Sequence, residues 1–290
     1  MNIDRVLDWP FQDVVQTYTT RDTLFYALSV GFGADPTDAQ ELRYVYEKGL
    51  TAAPSMAVVL GHPGPWGASP ATGIDIRKVV YAEQSMELHA SLPPQATVRA
   101  RERVIAILDK GRDKGALLRT ERRIVDHESG APLATLHATL MCRGDGGSGV
   151  SIGEASPWHE VPAGEPERVM EMATLPQSAL FYRLNGDMNP LHADPAVAAA
   201  VGFVRPILHG LCSYGVASHA LLKLWCGYDA SMLRSFGARF SAPVYPGETL
   251  LVETWRVGQT VSFRAWSKER RVKVLDNGFA VLGSAASSNA

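Results

Sequence analysis

Two side chains that can exchange protons, Asp187 and His192, lie five positions apart in the segment NGDMNPLH that begins at Asn185. Asn and Gly at its start permit a tight turn, and Pro190 disfavours the helical conformation for the residue before it. We therefore expect a loop, rather than a helix face, to hold the pair. A carboxylate and an imidazole placed together suit general acid–base chemistry on a carbonyl compound.

Two helices are expected to follow this loop. Asp194 and Pro195 read as the N-cap and first residue of a short helix over 196–201, which Gly202 ends. A second, longer helix is expected from Pro206 to about Trp225. Its first turn contains Gly210, where a ligand oxygen could approach the backbone N–H groups closely.

Charge and composition exclude several classes of protein. The chain has 290 residues, with 28 basic and 30 acidic residues and a net charge of -2, which argues against nucleic-acid binding and against a polybasic membrane anchor. No apolar run approaches the roughly 18 residues that span a bilayer, and the first residues lack the pattern of a signal peptide. Three cysteines without metal-type spacing indicate a reducing compartment. We expect a cytoplasmic protein.

A motif that occurs twice in the sequence predicts a duplicated fold. The motif Leu-Phe-Tyr-x-Leu occurs at 24–28 and again at 180–184, an offset of 156 residues. A Gly/Ser-rich, polar stretch separates the two copies and reads as a flexible linker over 146–157. We expect one repeat at 1–145 and a second at 158–290.

The second repeat reads as one helix followed by an antiparallel run of strands, an α+β layer in which a sheet wraps around a helix. Half-buried alternation predicts strands at 234–244, 250–257, 261–268, 272–275 and 279–285. The tripeptide Asp-Asn-Gly at 276–278 is typical of a hairpin turn between the last two.

The first repeat has the same ingredients in a degenerate form. Asp22 is expected to cap a helix from Thr23 to about Phe32, and strands are expected at 75–89, 97–109, 116–126 and 133–142. Because 49–73 is rich in Gly, Ala and Pro, the long helix should be short or broken here, leaving space for a bulky apolar ligand. The residues at 29–34 (SVGFGA) lack the Asp–His pair. One active site per chain is therefore expected, on the second repeat.

These residues carry a family likeness. The segment YRLNGDMNPLH at 182–192 resembles the signature of type 2, (R)-specific enoyl-CoA hydratases, the MaoC-like dehydratases. Shorter matches extend the likeness over the whole chain: ILHGLC at 207–212, RF at 239–240, PVYPG at 243–247, EQ at 83–84, EL at 87–88 and LDKG at 108–111. The resemblance implies a double hot-dog fold, as in the hydratase part of the peroxisomal multifunctional β-oxidation enzyme.

The resemblance also implies roles for individual residues. Asp187 and His192 would activate water for addition to a trans-2-enoyl-CoA, Gly210 N–H would donate a hydrogen bond to the thioester oxygen, and Asn189 would support the site. The implied contacts with the CoA ester also include Tyr81, Ala82, Lys110, Met188, Pro190, Leu191 and Phe240. At Tyr81 and Ala82 the sequence departs from the His-Gly that is expected of the animal form of these hydratases.

Other interpretations remain open at this point. Hot-dog folds also include thioesterases, which attack the carbonyl carbon, and the chain could be a non-catalytic acyl-CoA binding subunit. A metal site is disfavoured because a third ligand at suitable spacing is missing, and His209 reads as a structural or helix-capping residue. We expect no cofactor apart from the CoA of the substrate. A homodimer is expected, because hot-dog sheets commonly pair edge to edge.

Overall fold

The computed structural model describes residues 1–283. The α-helices are α1 (Ile3–Leu7), α2 (Thr20–Ser29), α3 (Ala39–Val45), α4 (Ser178–Tyr182), α5 (Pro195–Ala200) and α6 (Gly210–Trp225). The 3-10 helices are Pro54–Val59, Trp66–Ala68, Pro70–Thr72, Ile76–Lys78, Arg183–Asn185, Pro190–His192 and Ala230–Met232. The strands are β1 (Val14–Tyr18), β2 (Val79–Leu88), β3 (Ala96–Asp109), β4 (Ala116–Asp126), β5 (Pro132–Cys142), β6 (Ser151–Ile152), β7 (Arg168–Ala173), β8 (Leu233–Phe240), β9 (Thr249–Val257), β10 (Thr260–Ser267) and β11 (Val272–Leu282).

All the strands join one antiparallel sheet in the order β1-β3-β4-β5-β2-β8-β11-β10-β9-β7, with β6 paired to β3. The first repeat supplies one end of this order and the second repeat supplies the other. They meet where β2 pairs with β8, from Glu83 opposite Arg239 to Glu87 opposite Ser235. The predicted α+β double hot-dog fold is confirmed, with its two half-sheets hydrogen-bonded into one.

Helix α6 is the helix around which the second half-sheet wraps. Twelve of its 16 residues are buried, because nearly every side chain from Cys212 to Leu222 is apolar or small. It begins at Gly210, four residues later than expected. Leu208 donates its N–H to Val244 O at 2.7 Å, so the chain is still pairing with a neighbouring loop there.

In the first repeat, the 3-10 helix Pro54–Val59 contacts α6 in place of a long helix, as the Gly/Pro-rich sequence predicted. Five of its six residues are buried. Space for a bulky apolar ligand beside this segment stays a prediction. The buried Arg122 anchors this segment by donating to Val58 O at 3.3 Å and Leu60 O at 3.0 Å. Glu102, directly opposite on β3, pairs with Arg122 at 2.7 Å. The paired carboxylate compensates the buried cation.

The motif that occurs twice in the sequence marks a pseudo-two-fold axis between the repeats. Tyr26 of α2 and Tyr182 of α4 are equivalent positions, and their rings lie 6.3 Å apart. Asn185 Nδ2 donates to the hydroxyl of Ser29, its counterpart in the first repeat, at 2.9 Å. In a two-fold arrangement, equivalent residues near the axis contact each other. The predicted duplication therefore appears as a real internal symmetry.

Two predicted details are wrong, and one lies outside the described residues. Helix α2 begins at Thr20 after an N-cap at Thr19, and Asp22 lies inside it, where its carboxylate accepts the Thr19 N–H at 2.7 Å. The expected hairpin at 276–278 is instead a bulge within the continuous strand β11, whose register shifts between Asp276 and Phe279. Residues 284 and 285 of the predicted last strand lie outside the described residues.

The expected flexible linker is anchored to the first half-sheet. Asp109 at the end of β3 accepts the N–H groups of Gly147 at 2.8 Å and Gly149 at 2.7 Å. Strand β6 then pairs with β3 through Ile152 and Ser151. The composition of this stretch indicated flexibility. It could not show these contacts, because they connect residues that are distant in sequence. The division of the chain into 1–145 and 158–290 stays a prediction.

No helix among residues 1–283 is long and apolar enough to cross a membrane.

Candidate active site

The loop between α4 and α5 holds the predicted catalytic pair, and its own polar side chains shape it. Asp187 Oδ1 accepts the N–H of Asn189 at 3.1 Å. Asn189 Oδ1 in turn accepts the N–H of Leu191 at 3.0 Å and so caps the 3-10 helix Pro190–His192. These local bonds satisfy the turn without help from the rest of the fold. The second oxygen of Asp187, Oδ2, stays available to the site.

His192 is buried, with 8% of its surface exposed, although it lies on this exposed loop. Its Nδ1 is 2.8 Å from the carbonyl oxygen of Ile207. Because a carbonyl can only accept, Nδ1 carries the proton and Nε2 keeps a free lone pair in the neutral ring. Burial lowers the pKa of His192, while the Ile207 bond and Asp187 oppose that shift. The ring is therefore a neutral base at neutral pH.

His209 stacks on His192, with ring centroids 3.7 Å apart and planes inclined by 25°. Its Nε2 lies 3.1 Å from the backbone oxygen of Asp187 and 4.0 Å from Asp187 Oδ2. Burial, and next the neighbouring His192, lower the pKa of His209 to about 4. His209 is the N-cap of α6, as the sequence suggested, but it also belongs to the site. Its position directly before Gly210 was the signal that could have shown this.

Gly210, the first residue of α6, presents its backbone N–H beside these rings. Within residues 1–283 this N–H forms no hydrogen bond, as is usual in the first turn of a helix. A Cβ at this position would lie 3.1 Å from the Phe240 ring, so glycine keeps the approach to the N–H open. The helix dipole favours negative charge at this end.

Strand β2 brings the first repeat to the same place. The Tyr81 ring meets the Phe240 ring edge-on, with centroids 5.7 Å apart. The register of β2 against β5 shifts between Tyr81 and Glu83, which places Ala82 at a bulge. The Tyr81 hydroxyl donates to Gln84 Oε1 at 2.7 Å. Residues of both repeats therefore line one site.

The remaining predicted residues lie further out. Met188 is 55% exposed, Pro190 is exposed and Leu191 is half-buried on the loop surface. Lys110 is exposed in the turn between β3 and β4. Three strand spacings separate β3 from β2, roughly 14 Å across the sheet. Lys110 can therefore contact only a distal part of a long ligand.

The argument that a third metal ligand is missing is wrong. One ligand atom each from Asp187, His192 and His209 lies within 4.8 Å of the others. A carboxylate and two imidazoles are groups that bind divalent metals. In the described structure, however, one nitrogen of each ring faces a backbone carbonyl. That the site works without a metal stays a prediction.

Comparisons with known proteins show which family the chain belongs to. The MaoC like domain matches residues 158–278, and the MFE-2 hydratase 2 N-terminal domain matches residues 16–144. The enoyl-CoA hydratase ChsH3 of Mycobacterium tuberculosis is 37% identical over 264 residues, covering 89% of this chain and 91% of that protein. The peroxisomal enoyl-CoA hydratase 2 of Arabidopsis thaliana is 35% identical over 290 residues, covering 94% of this chain and 93% of that protein.

The crystal structure of a MaoC-like dehydratase from Phytophthora capsici has a TM-score of 0.87 and 36% identity, covering 99% of this chain and 100% of that one. Matches of this extent include both repeats, the loop with Asp187 and His192, and the start of α6. The chain therefore belongs to the MaoC-like dehydratase family, in the form that joins a MaoC like domain to an MFE-2 hydratase 2 N-terminal domain.

Proposed function

We propose that this protein catalyses the reversible hydration of trans-2-enoyl-CoA to (R)-3-hydroxyacyl-CoA. The observation that carries the proposal is a neutral, buried His192 beside the Asp187 carboxylate and the unpaired N–H of Gly210. Relatives that match nearly the whole chain are named enoyl-CoA hydratases, which supports the same reaction.

The chemistry follows from the positions of these groups. His192 Nε2 accepts a proton from a water molecule that Asp187 Oδ2 helps to orient, and the water oxygen bonds to Cβ of the enoyl group. General catalysis of this kind contributes roughly 10²- to 10⁴-fold. The C=C electrons move towards the thioester oxygen, where the Gly210 N–H stabilises the developing charge by about 10²- to 10³-fold. The enolate then takes a proton at Cα, and dehydration is the exact reverse.

Stereochemistry follows from placing both proton transfers on one face. Asp187 and His192 approach the ligand from the same loop, so hydroxyl and hydrogen add to the same side of the double bond. The configuration at Cβ depends on which face of the double bond meets the pair, and we propose that it is the face that gives the (R) product. Either group is placed to return the proton to Cα, because the two lie in the same site.

Residues of both repeats are proposed to hold the rest of the substrate. Tyr81 and Phe240 form an aromatic wall beside the Gly210 N–H, which suits the thioester and the adjacent carbons. Ala82 lies at the bulge on the same strand, and Lys110 offers a cation where the CoA phosphates could reach. Met188, Pro190 and Leu191 would cover the ligand from the loop side.

The test compares Asp187→Asn and His192→Gln with a matched variant, Asp194→Asn. Each of the first two should lower the hydration rate of crotonyl-CoA or decenoyl-CoA at least about 100-fold, because each removes a proton-transfer group. Asp194 caps α5 seven residues after Asp187, and asparagine caps equally well, so the control should keep its activity. The measurement is the loss of enoyl absorbance, with chiral analysis of the product.

Near-normal turnover in Asp187→Asn or His192→Gln would contradict the site assignment. Release of free CoA thiol from a saturated acyl-CoA, without loss of enoyl absorbance, would instead show a thioesterase. Binding of acyl-CoA without either reaction would show a non-catalytic acyl-CoA binding subunit.

We also propose that two chains form a homodimer in a reducing compartment such as the cytoplasm. Exposed leucines on and beside the α2–α4 helix pair support a partner surface: Leu28 and Leu180 are each 53% exposed and Leu184 is 60% exposed. Three buried, unpaired cysteines support the compartment. A solution mass of 31.4 kDa, that of a single chain, would contradict the dimer.

A further inference from the structure

We propose that His209 is a positioning residue that holds both catalytic groups, Asp187 by a hydrogen bond and His192 by stacking. This inference rests on the hydration proposed above and deepens it. The two contacts use different parts of one side chain, because Nε2 faces the Asp187 backbone and the ring face covers His192. Each contact can therefore be removed separately.

The hydrogen bond determines which nitrogen of His209 carries the proton. Nε2 lies 3.1 Å from the carbonyl oxygen of Asp187, which can only accept, so Nε2 must donate. Nδ1 has no hydrogen-bond partner within residues 1–283 and is buried. His209 is therefore the Nε2–H tautomer, whereas His192 is the Nδ1–H tautomer because its Nδ1 donates to Ile207 O.

The position of His209 explains why one residue can act on the whole site. It is the N-cap of α6, and its own carbonyl oxygen accepts the N–H groups of Cys212 at 3.0 Å and Ser213 at 3.3 Å. The helix thereby fixes the His209 backbone and, with it, the position of the neighbouring Gly210 N–H. The exposed loop with Asp187 is in turn fixed to that helix through His209 Nε2.

Stacking keeps water away from one face of His192. His209 itself is 2% exposed, and the centroid of the Tyr182 ring lies 5.1 Å from that of its imidazole. The charged groups that act on both rings of the stacked pair are Asp187 and Arg183, and Tyr182 packs against His209. Tyr81 and His62 are near Asp187, together with Arg122 and Glu102. Because exclusion of water is the first cause of the lowered pKa of His192, loss of the stacked ring should let that pKa rise.

Two variants separate the contacts. His209→Gln keeps an N–H donor for the Asp187 carbonyl but loses the ring, and His209→Phe keeps a ring but loses the donor. Both should lower kcat by about 10- to 100-fold, the usual effect of losing a group that orients a catalytic residue, while KM changes less than about threefold. Only His209→Gln should move the acid limb of kcat/KM to higher pH, because only that variant exposes His192 to water.

His219→Gln is the matched control. His219 lies in the same helix, is 1% exposed and also stacks on an aromatic ring, that of Phe32, at 3.7 Å. Because His219 is expected to be purely structural, replacing it should lower the midpoint temperature of unfolding but leave kcat and the pH profile of kcat/KM unchanged. Wild-type kcat in His209→Phe, or an unchanged acid limb in His209→Gln, would overturn the proposal.

A measurement on the unmodified protein decides the matter if the variants do not fold. Long-range ¹H–¹⁵N spectra of the imidazoles should show His209 as the Nε2–H tautomer and His192 as the Nδ1–H tautomer. Reversed tautomers would overturn the positioning role. These spectra do not require turnover. A failure of the proposed hydration reaction in the substrate assay can therefore be distinguished from a failure of the positioning role, which would appear as reversed tautomers.

Discussion

At the scale of single residues, the site depends on a base that is kept neutral by its surroundings. His192 is buried on an otherwise exposed loop, and its proton is committed to Ile207 O. The lone pair on Nε2 is therefore directed by a hydrogen bond on the opposite side of the ring. Asp187 contributes a carboxylate whose other oxygen is already used to shape the loop. Each of the two proposed catalytic groups has one atom that stabilises the local structure and one that is left for the proposed chemistry.

This arrangement predicts the pH dependence. His192 must be unprotonated to accept a proton from water, and burial places its pKa below the ordinary value of about 6.5. The rate should therefore fall only as the pH drops through that lowered pKa, so activity persists somewhat below about pH 6.5. The measurement is kcat/KM for crotonyl-CoA across the acid range. An acid limb centred above about pH 6.5 would contradict a neutral, desolvated base.

At the scale of elements, two central strands of the sheet and the start of one helix position these residues. Helix α6 contributes His209 and Gly210, strand β2 contributes Tyr81, and strand β8 contributes Phe240. β2 and β8 pair directly, so their side chains on the same face meet across the seam of the two repeats. The site therefore requires the seam to form.

The bulge in β11 supplies a prediction at this scale. A Cβ at Gly278 would lie 2.5 Å from the backbone oxygen of Phe263 on β10, so Gly278→Ala should lower the free energy of unfolding by about 3 kcal/mol. Gly258 is the matched control. It has φ +61° in a turn with nothing within 4 Å of its Cβ, so Gly258→Ala should cost only about 1–2 kcal/mol. Urea unfolding measures both.

If the tripeptide at 276–278 were a hairpin turn, as its sequence suggests, the two substitutions would have similar effects. A smaller loss in Gly278→Ala than in Gly258→Ala would therefore contradict the continuous strand.

At the scale of the whole molecule, a buried polar cluster fastens the first repeat to α6. Glu41 of α3 is 3% exposed and accepts from the Tyr228 hydroxyl at 2.9 Å and from Lys223 Nζ at 3.2 Å. His219 Nε2 lies 3.7 Å away. His219 and then Tyr228 and Lys223 lower the pKa of Glu41, against the opposing effect of burial. The charge of Glu41 is therefore part of the contact between the repeats.

Glu41→Gln should lower the free energy of unfolding at neutral pH by about 2 kcal/mol or more, because Lys223 loses its ionic partner and the Tyr228 hydroxyl loses a charged acceptor. A carboxyl with a depressed pKa contributes stability above its unfolded pKa, and that stability is lost as the pH falls towards the folded pKa. The difference between the two proteins should therefore be constant near neutrality and shrink below about pH 4.3. Denaturant unfolding at several pH values measures it.

The exposed Glu160→Gln serves as the control and should change stability by less than about 0.5 kcal/mol. A Glu41→Gln difference that grows on acidification would contradict an ionised Glu41 in the folded protein.

Local patterns in the sequence were enough to predict much of this protein. The loop from Asn185 to His192 was identified by its turn residues, and strand β4 (Ala116–Asp126) by its alternation, because both depend on neighbours in the chain. The repeat at an offset of 156 residues predicted the duplication, which the contact between Asn185 and Ser29 bears out.

Tertiary structure decided what depends on neighbours distant in sequence. The stacking of His209 on His192, the continuity of β11 through Asn277, and the anchoring of the segment after Asp109 all involve such partners. Asp-Asn-Gly permits a positive φ in a turn or in a bulge, and only the strands on both sides select the bulge. The sequence by itself thus determined the fold and identified the candidate proton-transfer pair, and packing placed a third side chain, His209, against that pair.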